Sequence, residues 1–419
     1  MRTNHQARRR FATLAAVTGF FLLSGVSFAQ MERTAEPLAL IHARVLDVRT
    51  GRIATNQTLV LRGGKIEGIS ATAAPKGVKT IDIAGRTLVP GLIDAHTHIA
   101  NLAAARRALE SGVTTVRSSG VSFFADVSLR ELARSGAIAG PDFLASGYHV
   151  RERLAEEAFF SDPSLSDLMG GVKTIADIRR VVRMNLAHGV DWIKINATER
   201  AGTPETDPRK QMWSEAEMRV MVEEAAAKGV RVQAHAHGAE GALAAVKAGV
   251  ASIEHGTYLT DEALDLMKQK GIAFVPTYST VIDLAEPGGD YDQPALILRG
   301  TAMLPRLAEA VQKAYKKGVL IVTGGDTGYG PNSVTRVSHE VQNFVKLGMT
   351  PIDAIRAATV NAAVLFKMEK SIGAIELGFD ADLVAVAENP LDDVGTLQDP
   401  LLVVSNGRMV LDRLNFGKK

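Results

Sequence analysis

Cysteine is absent from this chain of 419 residues. Its absence excludes disulfide bonds and thiolate metal sites, so any metal must be held by histidine, carboxylate or modified lysine. An excess of charge is also lacking, because the formal net charge is only +2 and no basic run occurs beyond the extreme N-terminus. We therefore expect no nucleic-acid partner. The length and a hydrophobic fraction of 46% are typical of a soluble globular protein with one large and one smaller domain.

Long apolar runs are scarce, and the clearest, residues 12–26, follows a basic stretch and precedes the small residues Ser27 and Ala29. This order is typical of a secretory signal peptide, which we place at residues 1–29. Because the run is too short for a stable membrane anchor, we predict export to the periplasm or the medium. Loss of this segment removes four arginines and takes the formal charge from +2 to −2. The RRRF stretch that begins at Arg8 resembles a twin-arginine signal, and both the Sec and twin-arginine routes stay open.

The two ends of the remaining chain share one pattern, in which short apolar runs are separated by glycine turns. The pattern occupies residues 30–89 and 367–419, and it is typical of β-strands. Since both stretches flank a long middle section with a different rhythm, we predict one small composite β-sandwich domain built from both ends.

Residues 90–366 repeat a helical stretch, a glycine and then an apolar strand that ends in polar residues. Glycine is the expected residue just past a helix end, and Ser214 with Glu217 predicts a capping box at a helix start. Strands begin in this way directly after Gly112, Gly189, Gly229, Gly249, Gly271 and Gly318. Alternating strands and helices indicate parallel βα units. With the runs TLVPGLIDAHTH and PDFLASG the count reaches about eight, so the sequence predicts an α/β fold with a (β/α)8 TIM barrel.

Potential metal ligands gather at the predicted strand ends, where TIM barrels carry their chemistry. These strand ends carry His96, His98, Lys194, His235, His237, His255 and Asp326. Side chains at positions i and i+2 of a strand point the same way, so His96 and His98 can hold one metal ion. The same alternation turns His237 towards the side that His235 faces. Imidazole ligands suit zinc and similar divalent ions.

Lys194 lies between Ile193 and Ile195 in a strand that should be buried. An ammonium group is costly there and its pKa should fall. A salt bridge with a nearby acid is one way to accommodate the charge.

Several motifs, in this order, resemble those of the amidohydrolase superfamily. They are VPGLIDAHTH, IKI around Lys194, QAHAHG, IEHG and TGGD, followed by LGMTPIDAIRAATVNAA and GAIELGFDADLVAV. The resemblance spans nearly the whole chain after the predicted signal peptide. It is nearest to the branch that contains prolidase-like carboxypeptidases, imidazolonepropionase-like proteins and ochratoxin-type amide hydrolases.

The resemblance implies a binuclear metal centre, expected to hold two Zn²⁺ ions bridged by an N6-carboxylated Lys194. The first ion would be held by His96, His98 and Asp326, and the second by His235 and His255. A hydroxide would form between the ions, because metal binding lowers the pKa of water towards about 7. It would attack the amide carbonyl, and Asp326 would take its proton and deliver it to the leaving nitrogen.

The sequence departs from its relatives at positions near this centre. Ser118 stands where many relatives carry an acid, which puts a family contact in doubt. His237 stands where many relatives of this branch have a tyrosine that contacts the substrate. We predict substrate contacts for His237, for His149 at the end of the third barrel strand, and for Arg200, which could bind a carboxylate bidentately.

The sequence thus predicts a hydrolase of dipeptides or N-acyl amino acids that cleaves at the C-terminal residue, including ochratoxin-type N-acyl phenylalanine amides. A hydrolase of cyclic C–N bonds is the alternative enzyme, although mononuclear ring hydrolases usually lack the bridging lysine. A binding protein without turnover is a third possibility. Two, one or no metal ions per chain would separate the three. Relatives are commonly homo-oligomers, and substrate preference should lie in the loops at residues 148–172 and 279–300.

Overall fold

The computed structural model describes residues 36–415, so the predicted signal peptide lies outside the described residues. In chain order the strands are β1 Leu38–Asp47, β2 Arg52–Arg62, β3 Lys65–Ser70, β4 Lys79–Asp82, β5 Thr87–Pro90, β6 Leu92–Thr97, β7 Val113–Ser118, β8 Asp142–Leu144, β9 Trp192–Asn196, β10 Arg231–Ala236, β11 Ser252–His255, β12 Ala273–Val275, β13 Leu383–Val386, β14 Leu402–Ser405 and β15 Arg408–Asp412. The α-helices are α1 Leu102–Glu110, α2 Ala125–Arg134, α3 Glu156–Ser161, α4 Ile175–Ala187, α5 Glu215–Ala226, α6 Ala239–Ala248, α7 Asp261–Lys270, α8 Tyr278–Ala285, α9 Pro294–Lys317, α10 Val337–Lys346, α11 Pro351–Ala357 and α12 Val360–Phe366.

The apolar runs at the two chain ends meet in one sheet. Its order is β15-β14-β13-β5-β1-β2-β3, with β4 added beside β1. The joint is the antiparallel pair of β5 and β13, in which Val89 faces Val384. This pairing confirms the prediction of a β-rich part built from both ends of the chain.

The middle of the chain forms two parallel sheets, β6-β7-β8 and β9 to β12. The parallel bridge between Val150 and Ile195 joins the segment after β8 to β9, and the parallel bridge between Phe274 and Ile321 adds the segment around Ile321 beside β12. A third bridge, between Thr97 and Thr327, returns the chain to β6. The segment around Ile321 therefore completes a ring of eight strand positions, and the predicted TIM-barrel fold is confirmed.

Local sequence signals set the ends of the barrel helices. The Oγ of Ser214 accepts a hydrogen bond from Glu217 N at 3.3 Å, and Glu217 Oε2 accepts one from Ser214 N at 2.8 Å, which is the predicted capping box. Gly249, Gly271 and Gly318 end α6, α7 and α9 with φ of 94°, 66° and 70°. Only glycine enters this left-handed region freely, so each helix stops sharply before the next strand.

The N-terminal ends of the barrel strands are filled by apolar and stacked side chains. Trp192, the first residue of β9, contacts Phe366 with ring centroids 6.1 Å apart. The Cζ of the buried Arg117 lies 4.6 Å from the Trp192 ring. The interior is therefore packed at this end, and the cavity described below lies at the opposite strand ends. No helix within residues 36–415 is long and apolar enough to cross a membrane.

Candidate metal centre

A first cluster of ligand groups joins the end of β6 to the segment after the last barrel strand. The Nε2 atoms of His96 and His98 lie 3.3 Å and 3.1 Å from Asp326 Oδ1. The two imidazole rings are 5.5 Å apart, as expected for side chains on the same side of a strand. Two nitrogens and one carboxylate thus converge on one point, which is a donor set that a divalent ion accepts.

A second cluster lies at the ends of β10 and β11. Ligand-type nitrogens of His235, His237 and His255 lie within 4.8 Å of one another. The His255 ring is 5.0 Å from the His96 ring, and its Nδ1 lies 3.9 Å from Asp326 Oδ2. The two clusters therefore share one cavity. His237, which we predicted to contact the substrate, lies among these nitrogens beside the two predicted ligands.

Lys194 lies in β9 next to the first cluster. Its Nζ is 3.5 Å from His96 Nε2, and its side chain is only 1% exposed. Burial lowers its pKa to about 8, so a substantial fraction of the amine is neutral near pH 7 to 8. Within residues 36–415 this Nζ is in hydrogen-bonding distance of an imidazole and forms no salt bridge with a carboxylate.

Burial keeps four of the imidazoles in the neutral form that binds metal. It lowers the pKa of His237 to about 3 and holds that of His98, His235 and His255 below the ordinary value. Burial alone would raise the pKa of Asp326, but His96 and His98 hold it well below its usual range. The cavity thus combines neutral imidazoles with an ionised carboxylate at neutral pH.

Hydrogen bonds outside the cavity orient three imidazoles through their Nδ1 atoms. These bonds run from His98 to Gly120 O at 2.7 Å, from His255 to Thr277 Oγ1 at 2.7 Å, and from His237 to Thr257 Oγ1 at 2.9 Å. Each leaves the Nε2 of its ring to the cavity, where that of His98 lies 3.1 Å from Asp326 Oδ1. His235 differs, because its Nε2 lies 3.1 Å from Glu199 O.

Glu254 orients His96, and the sequence analysis missed it. Its Oε2 lies 2.8 Å from His96 Nδ1, and its Oε1 accepts from Arg117 Nη2 at 2.8 Å and from Ser252 Oγ. Burial favours the protonated acid, but Arg117 and His96 outweigh it and bring the pKa of Glu254 to about 2. An ionised carboxylate on Nδ1 fixes the tautomer of His96 and leaves Nε2 bare.

Asp94, also missed, connects the two segments that form the first cluster. Its Oδ1 accepts from His96 N at 3.0 Å and from Gly325 N at 2.9 Å, and its Oδ2 accepts from the Tyr329 hydroxyl at 2.8 Å. These bonds fix the end of β6 against the turn that presents Asp326. The signal in the sequence was its position two residues before His96.

Three non-glycine residues at the centre have left-handed backbone conformations. They are His255, Thr277 and Asp326, with φ of 70°, 49° and 43°. Such conformations cost on the order of 1–3 kcal/mol each and collect at functional sites. These conformations turn the side chains of the predicted ligands His255 and Asp326, and of Thr277, towards the cavity. An extended backbone at the same positions would direct them elsewhere.

A cavity of about 480 Å³ lies over both clusters. Of the remaining predicted contacts, His149 lines it with its Nδ1 held 2.8 Å from Asn196 Oδ1, and Arg200 lines its edge. The apolar wall comes from Val281, Leu284 and Tyr291 in the second loop predicted to set preference. From the first predicted loop, Phe160 and Met169 are instead 76% and 70% exposed.

The barrel and the histidine clusters together define a metal-dependent hydrolase of C–N bonds, and known proteins agree. The sequence model of the Amidohydrolase family matches residues 87–410, so the chain belongs to the amidohydrolase family. Ochratoxinase from Aspergillus niger is 29% identical, and the alignment covers 87% of this chain and 84% of that protein.

Solved structures give the same result. The crystal structure of a Xaa-Pro dipeptidase with methionine bound in its active site has a TM-score of 0.79 and 28% identity, covering 89% of this chain and 99% of that one. A prolidase complexed with N-methylphosphonate-L-proline has a TM-score of 0.78 and 26% identity, covering 90% of this chain and 100% of that one. The predicted superfamily and enzyme class are confirmed.

Proposed function

We propose that the protein hydrolyses the amide bond of dipeptides or N-acyl amino acids at the C-terminal residue, with two divalent metal ions, expected to be Zn²⁺. One observation carries the proposal: the two ligand clusters face each other across one cavity, with Lys194 Nζ only 3.5 Å from His96 Nε2. A lysine in that position is suited to bridge two ions as a carbamate, because its neutral amine can combine with carbon dioxide.

In this proposal the ligands divide as the family resemblance implies. The first ion would be held by His96, His98 and Asp326, and the second by His235 and His255, with N6-carboxylated Lys194 shared between them. Bound ions would supply Lewis acidity and make a water molecule acidic near neutral pH, with a pKa of about 7. The buried, neutral imidazoles and the ionised Asp326 fit such ions.

Asp326 is the proposed proton carrier. It stays ionised because His96 and His98 hold its pKa down, so one of its oxygens can accept a proton from the attacking water. The carboxylic acid then protonates the leaving nitrogen, which departs as an amine. Glu254 and Asp94 act through His96 and the Asp326 turn, so they are positioning residues.

His237 remains a proposed substrate contact in spite of its place in the second cluster. Its Nδ1 is tied to Thr257 Oγ1, so its Nε2 is available to the cavity. Val281, Leu284 and Tyr291 offer an apolar surface for a substrate side chain. Relatives described as an ochratoxinase, a Xaa-Pro dipeptidase and a prolidase support amide or peptide substrates. N-acyl phenylalanine amides are among the substrates that we propose.

The test is a screen of zinc-loaded enzyme against dipeptides, N-acyl amino acids and cyclic amides, with release of free amino acid as the readout. We expect hydrolysis of N-acyl amino acids with apolar side chains. Ring opening of cyclic amides without release from any N-acyl amino acid would contradict the proposal and favour the cyclic C–N alternative.

The bridge has its own test, in which Lys194→Ala is compared with Lys228→Ala, an exposed lysine outside the cavity. Lys194→Ala should lose most of its metal and nearly all activity, while Lys228→Ala keeps both. The mass of the wild-type protein should include one carbon dioxide. A Lys194→Ala enzyme with two metals and full turnover would rule out the bridge.

A further inference from the structure

Tyr291 lies in the loop between α8 and α9 and lines the metal cavity. The proposed function uses only its ring, as part of the apolar wall. Its hydroxyl forms no hydrogen bond with any of residues 36–415. The hydroxyls of Tyr148, Tyr315 and Tyr329, by contrast, bond to groups on other segments of the chain. The Tyr291 hydroxyl is therefore not used to hold the fold together, although it lies at the catalytic cavity.

Two observations place this hydroxyl at the reacting end of the cavity. Tyr291 and Asp326 line the same space. The charge of Asp326 is also the largest cause that raises the pKa of Tyr291 above its ordinary value, followed by burial. Asp283 and Asp290, the other nearby carboxylates, raise it less. Since the effect of a charge weakens with distance, the phenol oxygen lies nearer to Asp326 than to the other two.

The loop that carries Tyr291 is fixed against its surroundings. Asp283 in α8 accepts a hydrogen bond from Asp290 N at 3.0 Å, and Asp290 Oδ2 accepts one from Ser333 Oγ at 2.8 Å. The ring packs so closely on Gly202 that a Cβ there would lie 2.5 Å from Tyr291 Cε1. Because real Cβ atoms essentially never come so close, the ring can occupy this place only while residue 202 is glycine.

Gly202 is held against the ring by the loop to which it belongs. The Arg299 guanidinium in α9 donates to four backbone carbonyls of that loop, those of Ala201, Thr203, Pro204 and Thr206. Two fixed loops therefore meet at the Tyr291 ring, and packing aligns the phenol without a hydrogen bond to its oxygen. A group held in this way loses little freedom when a ligand binds.

We propose that the Tyr291 hydroxyl, held by the packing of its ring on Gly202, donates a hydrogen bond to the oxygen of the scissile carbonyl and stabilises the tetrahedral intermediate. The proposal rests on the proposed function. There Asp326 moves a proton from the attacking water to the leaving nitrogen, and both of these atoms are bonded to the carbonyl carbon. A donor beside Asp326 is therefore close to the carbonyl oxygen, which gains negative charge. The phenol keeps its proton throughout and donates as a neutral group.

Tyr291→Phe keeps the ring on Gly202 and removes only the hydroxyl. With zinc-loaded enzyme and N-acetyl-L-phenylalanine as the substrate, kcat should fall by about 10- to 100-fold, as for a lost hydrogen bond to a charged group. KM should change less, because the bond strengthens only as charge develops.

Gly202→Ala tests the packing that holds the hydroxyl. The added Cβ must displace the ring, so kcat should fall to a similar extent, and the double variant should lose little more than Tyr291→Phe alone. The matched control is Gly68→Ala in β3, where the nearest contact of an added Cβ would be Val60 Cβ at an ordinary 3.6 Å. It should leave kcat unchanged. Losses in the double variant that equal the product of the two single losses would contradict this coupling.

A second measurement is independent of turnover and compares two analogues by calorimetry on the metal-loaded enzyme. N-methylphosphonate-L-phenylalanine imitates the tetrahedral intermediate. A ketone in which CH2 replaces the amide NH of N-acetyl-L-phenylalanine imitates the planar substrate. Tyr291→Phe should weaken binding of the phosphonate by about the factor lost in kcat/KM, and binding of the ketone much less. Equal losses for the two analogues, or a phosphonate that does not bind the wild-type enzyme, would overturn the proposal.

The outcomes also separate this inference from the proposed function. Phosphonate binding that depends on the Tyr291 hydroxyl, without hydrolysis of any N-acyl amino acid, would support the donor and contradict the proposed reaction. Hydrolysis of N-acyl amino acids with the same kcat and the same phosphonate affinity in wild type and Tyr291→Phe would do the reverse.

Discussion

Individual side chains at the centre differ in charge because their neighbours differ. Burial lowers the pKa of the His98, His235, His237 and His255 imidazoles and so keeps them neutral. The carboxylate of Glu254 is fully buried and that of Asp326 nearly so, yet each remains ionised because cationic or hydrogen-bonding groups surround it. At the residue scale the site therefore offers neutral imidazoles that can bind metal ions and an ionised carboxylate that can accept a proton.

Asp326→Asn separates metal binding from proton transfer. The amide oxygen can still reach a metal, but it cannot accept a proton, so the variant should keep its fold and much of its metal. We expect kcat to fall by about 10²- to 10⁴-fold, the typical contribution of proton transfer, with KM changed less. His237→Ala, if it removes a substrate contact, should instead raise KM more than it lowers kcat. Steady-state kinetics with parallel metal analysis checks this, and near-normal kcat in Asp326→Asn would show that another residue moves the proton.

Glu254→Gln tests the support of His96. The neutral amide can no longer hold the Nδ1 proton as strongly, and Arg117 loses its charged partner. Metal affinity should fall by about 10- to 100-fold, as for other groups that orient metal ligands, and the free energy of unfolding should fall by about 3–5 kcal/mol, as for a broken buried pair. Competition with a chelator and denaturant unfolding measure the two effects.

The matched control for this variant is Glu376→Gln, which breaks an exposed pair with Arg49. It should change neither metal affinity nor, by more than about 1 kcal/mol, stability. Equal metal affinity in Glu254→Gln and wild type would show that the carboxylate does not orient His96.

Sequence reasoning found the residues that strand alternation places and missed those that break it. His96 and His98, two positions apart, meet as alternation predicts. Glu254 was missed because alternation puts neighbouring residues on opposite faces, and His255 was taken for the inward one. The left-handed φ of His255 lets both side chains reach the centre, and no pattern in one sequence predicts that.

At the scale of elements, helix α8 begins without a cap of its own. Thr277 precedes it with a left-handed φ of 49°, and no side chain of the helix start caps it. Glu340 in α10 supplies the cap instead, because its carboxylate accepts from Tyr278 N and Ser279 N, both at 2.8 Å. Since Thr277 also binds His255, this cap connects α10 to the metal centre.

Glu340→Ala should therefore affect both stability and the site. Loss of a buried acceptor leaves two amides unsatisfied, which costs on the order of 1–3 kcal/mol each. The free energy of unfolding should fall by at least that amount, and hydrogen exchange of the α8 amides should accelerate. Glu309→Ala, on the exposed side of α9, is the control and should stay within about 0.5 kcal/mol. Unchanged exchange in α8 would contradict the cap.

The order of elements could be predicted because glycines and capping residues mark the helix ends. The last barrel position was harder to define, since the segment around Ile321 joins the ring through isolated bridges only. The loops were the weakest prediction. Phe160 and Met169 point to solvent, and nothing in their sequence distinguishes an apolar residue of a loop surface from one of a pocket wall.

For the whole molecule, the joint between the terminal sheet and the barrel contains a buried acid. Asp382 O accepts from Gly91 N, and Asp382 Oδ1 accepts from Asn406 N, both at 2.8 Å. Burial and the nearby Asp142 of β8 raise the pKa of Asp382 well above its ordinary value of 3.8. The folded protein therefore holds a proton there that the unfolded chain releases.

The sign of the resulting pH dependence follows from that proton. Because the native state binds more protons, stability at this site is greatest below pH 3.8 and is lost as pH rises through the folded pKa. Asp382→Asn removes the titration and keeps an oxygen for Asn406 N. The variant should gain in Tm over wild type as pH is raised from 5 to 8, measured by thermal unfolding. Parallel Tm curves for the two proteins over that range would contradict the assignment.

The central claim is that amide hydrolysis depends on two metal ions held by the facing clusters. Its most direct test is to strip the enzyme with a chelator and titrate Zn²⁺ back while measuring release of the amino acid from an N-acyl amino acid. We predict that activity is lost with the metal and returns until two equivalents per chain are bound, then stays constant. Activity that survives complete removal of metal, or that is already maximal with one equivalent bound, would contradict the account.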